Sequence, residues 1–272
     1  MTTFSRRPVP RMNRSRIASD IGGGPSFSFL NMTNLVDMWD VQDLSSFGDG
    51  GAVNTTWTGR KLGAVLTPFI SAAMGTYRAN AFVGAGVTAG LEMGAQAAET
   101  QNATIAAIFN GTNKTYTVAW AGTLRNGGTN YYWSAGALVS LTEYVQWFFS
   151  GAAVVQNRFA TRDGVINTVD NMTEFQALAP QLIEFERAAA GAWTSRKDGV
   201  SEGTATRSDS GVTAERFQIG ANSNGSSAAV GADMVVSAIF IFGPGGIVAG
   251  EKTAFRQAIG DRLGMRWKKG LA

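Results

Sequence analysis

Arg216-Phe217-Gln218-Ile219-Gly220, then Met234-Val235-Val236-Ser237-Ala238-Ile239-Phe240-Ile241-Phe242, then the segment from Gly250 to Gly264, follow one another in that order. The middle run is apolar on both faces at the period of two that a strand imposes, as expected of a central strand covered on each side. The third segment sets Phe255, Ile259 and Leu263 at i, i+4 and i+8, one stripe of a helix, with Gly264 as its C-terminal stop. Glu251 follows Gly250 rather than a Ser or Asp, so the helix begins with a weak cap. At nine residues, Met234 to Phe242 is far shorter than the roughly 20 residues a membrane helix needs, and no membrane insertion is expected.

Upstream, Leu182-Ile183-Glu184-Phe185-Glu186-Arg187 and Trp193 to Lys197 read as strands. Lys197-Asp198-Gly199-Val200 supplies an Asp-Gly turn between Trp193 to Lys197 and a following strand. Thr115 to Leu124 alternates, with Tyr116, Val118 and Trp120 on one face and Thr115, Thr117 and Ala119 on the other. Tyr144 to Ser150 does the same through Val145, Trp147 and Phe149. Thr104 to Phe109, Ala79 to Val83 and Leu91 to Met93 are also expected as strands. The 34 glycines and the 16% charged content suit many short strands joined by tight turns.

The closing order of strands and helix is similar to that of concanavalin A-like (laminin G-like) jelly rolls. Leu35-Val36-Asp37-Met38-Trp39-Asp40 through Asp43-Leu44-Ser45 resembles the L-V-x-x-W-D-x-x-D-L-S opening of bacterial and phage members, and the Asp198-Gly199 turn matches their hairpin. The resemblance implies an all-β fold, a jelly-roll sandwich of antiparallel sheets over residues 29–272 with a short C-terminal helix. It also implies a non-enzymatic bacteriophage virion structural protein: a capsid- or tail-attached decoration, fibre or host-recognition module that is homo-oligomeric, made in the host cytoplasm and able to bind a host surface glycan. Two other readings stay open, a laminarinase-like glycoside hydrolase and a soluble lectin.

Cysteine and histidine are both absent, which excludes disulfides, thiolate or imidazole zinc sites, Cys nucleophiles and Ser-His-Asp triads. No cofactor is expected. Charge is divided unevenly. Residues 1–19 carry Arg6, Arg7, Arg11, Arg14 and Arg16 without an acid, while residues 20–265 hold 15 basic and 20 acidic residues. Residues 1–28 therefore read as an extended basic arm. Phe4, Pro8, Val9, Pro10, Met12 and Ile17 interleave with the arginines, apolar anchors that phosphate binding does not require. They favour docking onto another virion protein over a nucleic-acid contact or a solvated tail.

Three further groups bear on chemistry. Glu184 and Glu186, at i and i+2, share one face of a strand, but Glu184-Phe185-Glu186-Arg187-Ala188-Ala189 departs from the Glu-x-Asp-x-x-Glu signature of laminarinase-like enzymes. They read as solvent-facing residues of a half-buried strand with Ile183 and Phe185 inward, so no catalytic residue is assigned. Asp37, Asp40, Asp43 and Asp49 could supply oxygens to a calcium ion but lack an EF-hand spacing and read as turn carboxylates, so no metal site is assigned. Tyr131, Tyr132 and Trp133 are the densest aromatic group. Three consecutive rings cannot all face one side of a regular strand, which makes them the candidate glycan contact.

Overall fold

The computed structural model describes residues 27–82, 87–111, 114–125, 130–138, 143–150, 156–163, 166–170, 179–206, 212–221 and 233–264. They form two antiparallel sheets packed as a sandwich. Across the first run β4 (Thr76–Arg78), β5 (Gly90–Gly94), β16 (Asp233–Phe242), β7 (Tyr116–Leu124), β12 (Gln181–Arg187), β13 (Ala192–Lys197) and β14 (Val200–Thr206), with β1 (Leu35–Asp40) joining β16 beyond the end of β5. Across the second run β2 (Trp57–Thr58), β3 (Val65–Phe69), β6 (Ala97–Thr100), β15 (Arg216–Ile219), β8 (Asn130–Gly136), β9 (Glu143–Ser150), β10 (Gln156–Asp163) and β11 (Ile166–Asp170).

Alternation decides what fills the space between the sheets. Tyr116, Val118 and Trp120 of β7, Ile183 and Phe185 of β12, and Ile239 and Ile241 of β16 meet Trp133 and Ala135 of β8, Val145 of β9 and Phe217 and Ile219 of β15. The rings of Phe109, Trp133 and Phe217 stack near one another, with centroids 5.5 to 6.0 Å apart. Face-on burial of such rings stabilises by about 1.5–3 kcal/mol for each side chain.

The other face of β16 and β7 is covered too, by α2 (Ala249–Leu263). Phe255, Ile259 and Leu263 pack onto Met38, Ala119, Ala121, Leu182, Phe240 and Phe242, and the Phe255 ring meets Phe240 and Phe242 edge-on at 5.2 and 5.6 Å. The double apolar run of β16 thus has an occupant on each side. Val248 precedes the helix without a side-chain cap, and Gly264 ends it in the left-handed region at φ 71°. The Asp198-Gly199 turn has both residues at positive φ, the type I′ geometry that matches strand twist.

Two expectations are corrected. Residues 104–109 are helical: α1 (Ala103–Phe109) is capped by Asn102, whose Oδ1 accepts the Thr104 and Ile105 N–H groups, and it buries Ile105, Ile108 and Phe109 on one stripe. Ala79 to Phe82 is not a strand but turns away from the end of β4, while Val83 lies outside the described residues. Leu91 to Met93 is a strand as expected, within β5. Residues 1–26 of the arm, with Arg6, Arg7, Arg11, Arg14 and Arg16, lie outside the described residues.

Candidate functional site

The outer face of the first sheet is only partly covered by α2. Read across the strands, Glu92 of β5 stands opposite Val235 of β16, and Val235 stands opposite Thr123 of β7. This row is the floor of a cavity of about 500 Å³, continued by Pro180. Arg78 and Arg125 stand at its rim, and Asp49 and the segment Asn80 to Phe82 form its walls. The floor depends on a missing side chain: a Cβ on Gly90 would lie 2.3 Å from Val235 Cγ1 and 2.9 Å from Ala81 Cβ, so glycine lets the wall close against the sheet.

The rim is held by one carboxylate. Glu92 Oε2 accepts Arg78 Nε at 2.5 Å, Glu92 Oε1 pairs with Arg125 Nη1, and Arg125 Nε reaches Asp233 Oδ1 at 3.5 Å. Asp49 Oδ1 accepts the Ala79 N–H at 2.9 Å, fixing the loop that flanks Arg78. A pocket of this size, with apolar lining from Ala81, Phe82, Pro180 and Val235 and a few directed polar groups, is the usual form of a small-ligand site.

The groups singled out in the sequence lie elsewhere. Glu184 is not solvent-facing: its side chain is 2% exposed and pairs with Arg256 of α2 at 2.8 Å, while Glu186 accepts Lys252 Nζ at 3.0 Å. Ile183 and Phe185 do point inward, as expected, but the outward face of β12 lies beneath the helix rather than in water. Burial raises the Glu184 pKa, opposed by the Arg256 charge and hydrogen bond. Both carboxylates are thus occupied in seating α2.

The four aspartates do not converge on a cation. Asp37 accepts the N–H groups of Met38, Lys61, Leu62 and Ala64, Asp40 binds Arg262 and Arg60, Asp43 binds Arg60, and Asp49 lies in the pocket wall. Among the described residues no group of three or more metal-binding side chains is found, nor any helix long and apolar enough to cross a membrane.

Tyr132 and Trp133 are both 2% exposed and both face the core. A register shift between Tyr131 and Trp133 on β8 lets consecutive rings turn inward, so neither offers a surface for a glycan. The Tyr131 side chain lies outside the described residues.

The outer face of the second sheet carries a polar row that the sequence reading missed. Thr67, Glu99, Gln218, Ser134 and Gln146 stand directly opposite one another across β3, β6, β15, β8 and β9. Gln218 Nε2 donates to Glu99 Oε2 at 3.1 Å, Ser134 Oγ donates to Gln218 Oε1 at 3.3 Å, and Arg216 approaches Glu99 at 3.6 Å. Ser134, Gln146, Arg216 and Gln218 are buried, so this row ties strands together whereas the Glu92 to Thr123 row opens to a cavity.

Fold and site together define a jelly-roll β-sandwich with one face closed by a helix and a ligand-sized pocket beside it. No protein-family model matches the sequence, and no curated protein matches it. Solved structures do resemble it. Domain 4 of AbnA, a GH43 extracellular arabinanase from Geobacillus stearothermophilus, in complex with arabinotriose, gives a TM-score of 0.56 at 13% identity over 83% of this chain and 100% of that one. The receptor-binding domain of botulinum neurotoxin mosaic serotype C/D gives 0.55 at 6% identity over 85% of this chain and 52% of that one. A CBM40 module of the Ruminococcus gnavus IT-sialidase, bound to α2,3-sialyllactose, gives 0.49 at 8% identity over 60% and 93%. The first two likenesses are likenesses of fold, and they agree with the jelly-roll class read from the strands.

Proposed function

We propose that this chain is a non-catalytic glycan-binding module whose ligand sits in the pocket between Arg78, Glu92, Arg125 and Val235. The cavity carries the reading: Phe82, Pro180 and Val235 can lie against a sugar ring while its rim offers directed donors and acceptors to hydroxyls. The fold shared with AbnA domain 4, solved with arabinotriose, supports it. The laminarinase-like alternative loses its acid pair to α2, because Glu184 and Glu186 are engaged by Arg256 and Lys252. A glycan array probed with the full chain tests the reading, alongside Asn80→Trp, which fills the pocket mouth from an exposed wall residue. Binding by the natural sequence that is lost in the variant is expected. Absence of binding to any glycan, or binding unchanged by Asn80→Trp, overturns the pocket assignment.

The finer reading is that the module belongs to a bacteriophage virion, anchored by its arm as a homo-oligomer. Its support is the resemblance of the chain's opening and closing segments to phage jelly rolls and the apolar-studded arginines Arg6, Arg7, Arg11, Arg14 and Arg16. Stoichiometric recovery from purified particles, lost on deletion of residues 1–20, is the expected result. Normal incorporation of the truncated chain would rule out the docking arm.

A further inference from the structure

We infer that the pocket selects a sugar unit bearing a carboxylate, an inference that rests on the glycan reading above. Glu92 uses both oxygens, one on each arginine, so the guanidinium groups of Arg78 and Arg125 stand over the same small volume. Glu92 takes one nitrogen of each, and Asp233 reaches Nε of Arg125. Among the described residues, the contacts of these arginines to acids run from Nε of Arg78 and from Nε and Nη1 of Arg125. The arginine side chains are 44% and 40% exposed, Glu92 only 21%. The guanidinium groups are thus the charged donors of the rim, with Asp233 beside Arg125 and Asp49 on the wall as its acceptors, and a planar carboxylate is the acceptor that the arginine fork fits.

The rest of the lining narrows the class from any anion to a sugar acid. Asp49 keeps one oxygen after accepting the Ala79 N–H, an acceptor suited to a hydroxyl and unfavourable to a dense anion such as phosphate. Asn80 adds an amide on the same wall, and Phe82, Pro180 and Val235 supply apolar surface for the face of a ring. A ligand with one carboxylate, several hydroxyls and an apolar face meets all three requirements.

Calorimetric titration of the full chain with matched pairs tests this: trigalacturonate against its methyl ester, and 3′-sialyllactose against lactose. Each pair differs in the acid, and the two pairs separate a uronic acid from a sialic acid. The acid member of at least one pair is expected to bind about tenfold or more tighter, with affinity falling as salt is raised. Arg78→Gln and Arg125→Gln, both at half-exposed positions that leave the core intact, should each remove most of that preference, the acid member of the pair losing more affinity than its neutral counterpart. Arg125→Lys should restore part of it, since it keeps the charge without the fork. Equal binding of acid and neutral members, with binding abolished by Asn80→Trp, overturns the acid selectivity and leaves the glycan reading standing. Acetate displacing the sugars at similar concentration also overturns it, because the hydroxyl contacts then contribute nothing. No binding of any saccharide fails both readings.

Discussion

At the scale of single residues, the Glu184–Arg256 pair shows how a charge motif can be misread from sequence. Two glutamates at i and i+2 look like a solvent face or a catalytic pair, and only the docking of a helix whose Arg256 lies 72 residues beyond Glu184 makes them anchors. Removing one partner leaves a buried charge. Glu184→Gln is therefore expected to cost about 3–5 kcal/mol, whereas the double replacement Glu184→Leu with Arg256→Leu should be neutral or stabilising by about 1–4 kcal/mol. Urea unfolding of the two variants checks both signs. A second residue-scale expectation concerns Asp198, whose pKa is raised by burial against the opposing Leu182 N–H. The fold then holds this proton to higher pH than the unfolded chain does. Its contribution to stability is full below the ordinary carboxylate range and declines as pH rises through the raised value. Asp198→Asn keeps an acceptor for Leu182 and suits the φ of 51° at this turn, so it should remove that decline. Denaturant midpoints of variant and natural sequence are expected to diverge in favour of the variant as pH rises above the ordinary carboxylate range, and parallel midpoints would refute this account.

At the scale of elements, β16 and α2 were legible because their patterns are long and unambiguous. One is apolar on both faces, with Ser237 the one polar residue between Met234 and Phe242, and the other repeats at i, i+4 and i+8 before a glycine. Residues 103–109 were not, since seven residues containing Thr, two Ile and Phe satisfy strand preferences, and the Asn102 cap is a signal that only outweighs them once the stripe has a surface to bury against. The pocket was illegible for another reason: Glu92, Thr123 and Val235 come from three strands, and only sheet register brings them side by side. The Tyr131 to Trp133 group failed on a register shift, which breaks the alternation that the inference assumed. The weak start of α2 read from Gly250 and Glu251 is present two residues earlier, at Val248, which is 38% exposed and extended at φ −63°, ψ 138°. Val248→Asp should supply the missing acceptor and stabilise by about 0.5–2 kcal/mol. Thermal unfolding measures it, and an unchanged midpoint would mean that Glu251, bound to Thr33, already serves this end of the helix.

At the scale of the whole molecule, the sandwich divides its work between two outer faces. One polar row, buried at Gln218, Ser134 and Gln146, binds its sheet laterally, while the other face is split between a helix and a cavity. The cavity exists because α2 covers Phe240 and Phe242 but leaves Val235 at its border, and Gly90 lets the wall approach. Gly90→Ala is therefore expected to destabilise the fold by about 1–3 kcal/mol through overpacking and to weaken any ligand of the pocket. The pairing of β1 with β16 has a consequence for how the protein is made. Trp39 and Ile239 are neighbours in the sheet although 200 positions separate them in the chain. At a synthesis rate of about 5–20 residues per second, β1 leaves the ribosome some 10–40 s before its partner exists. During that interval its edge and the apolar side chains of Leu35, Met38 and Trp39 lack the cover they have in the finished sheet, so the nascent chain is the form of this protein most dependent on chaperones.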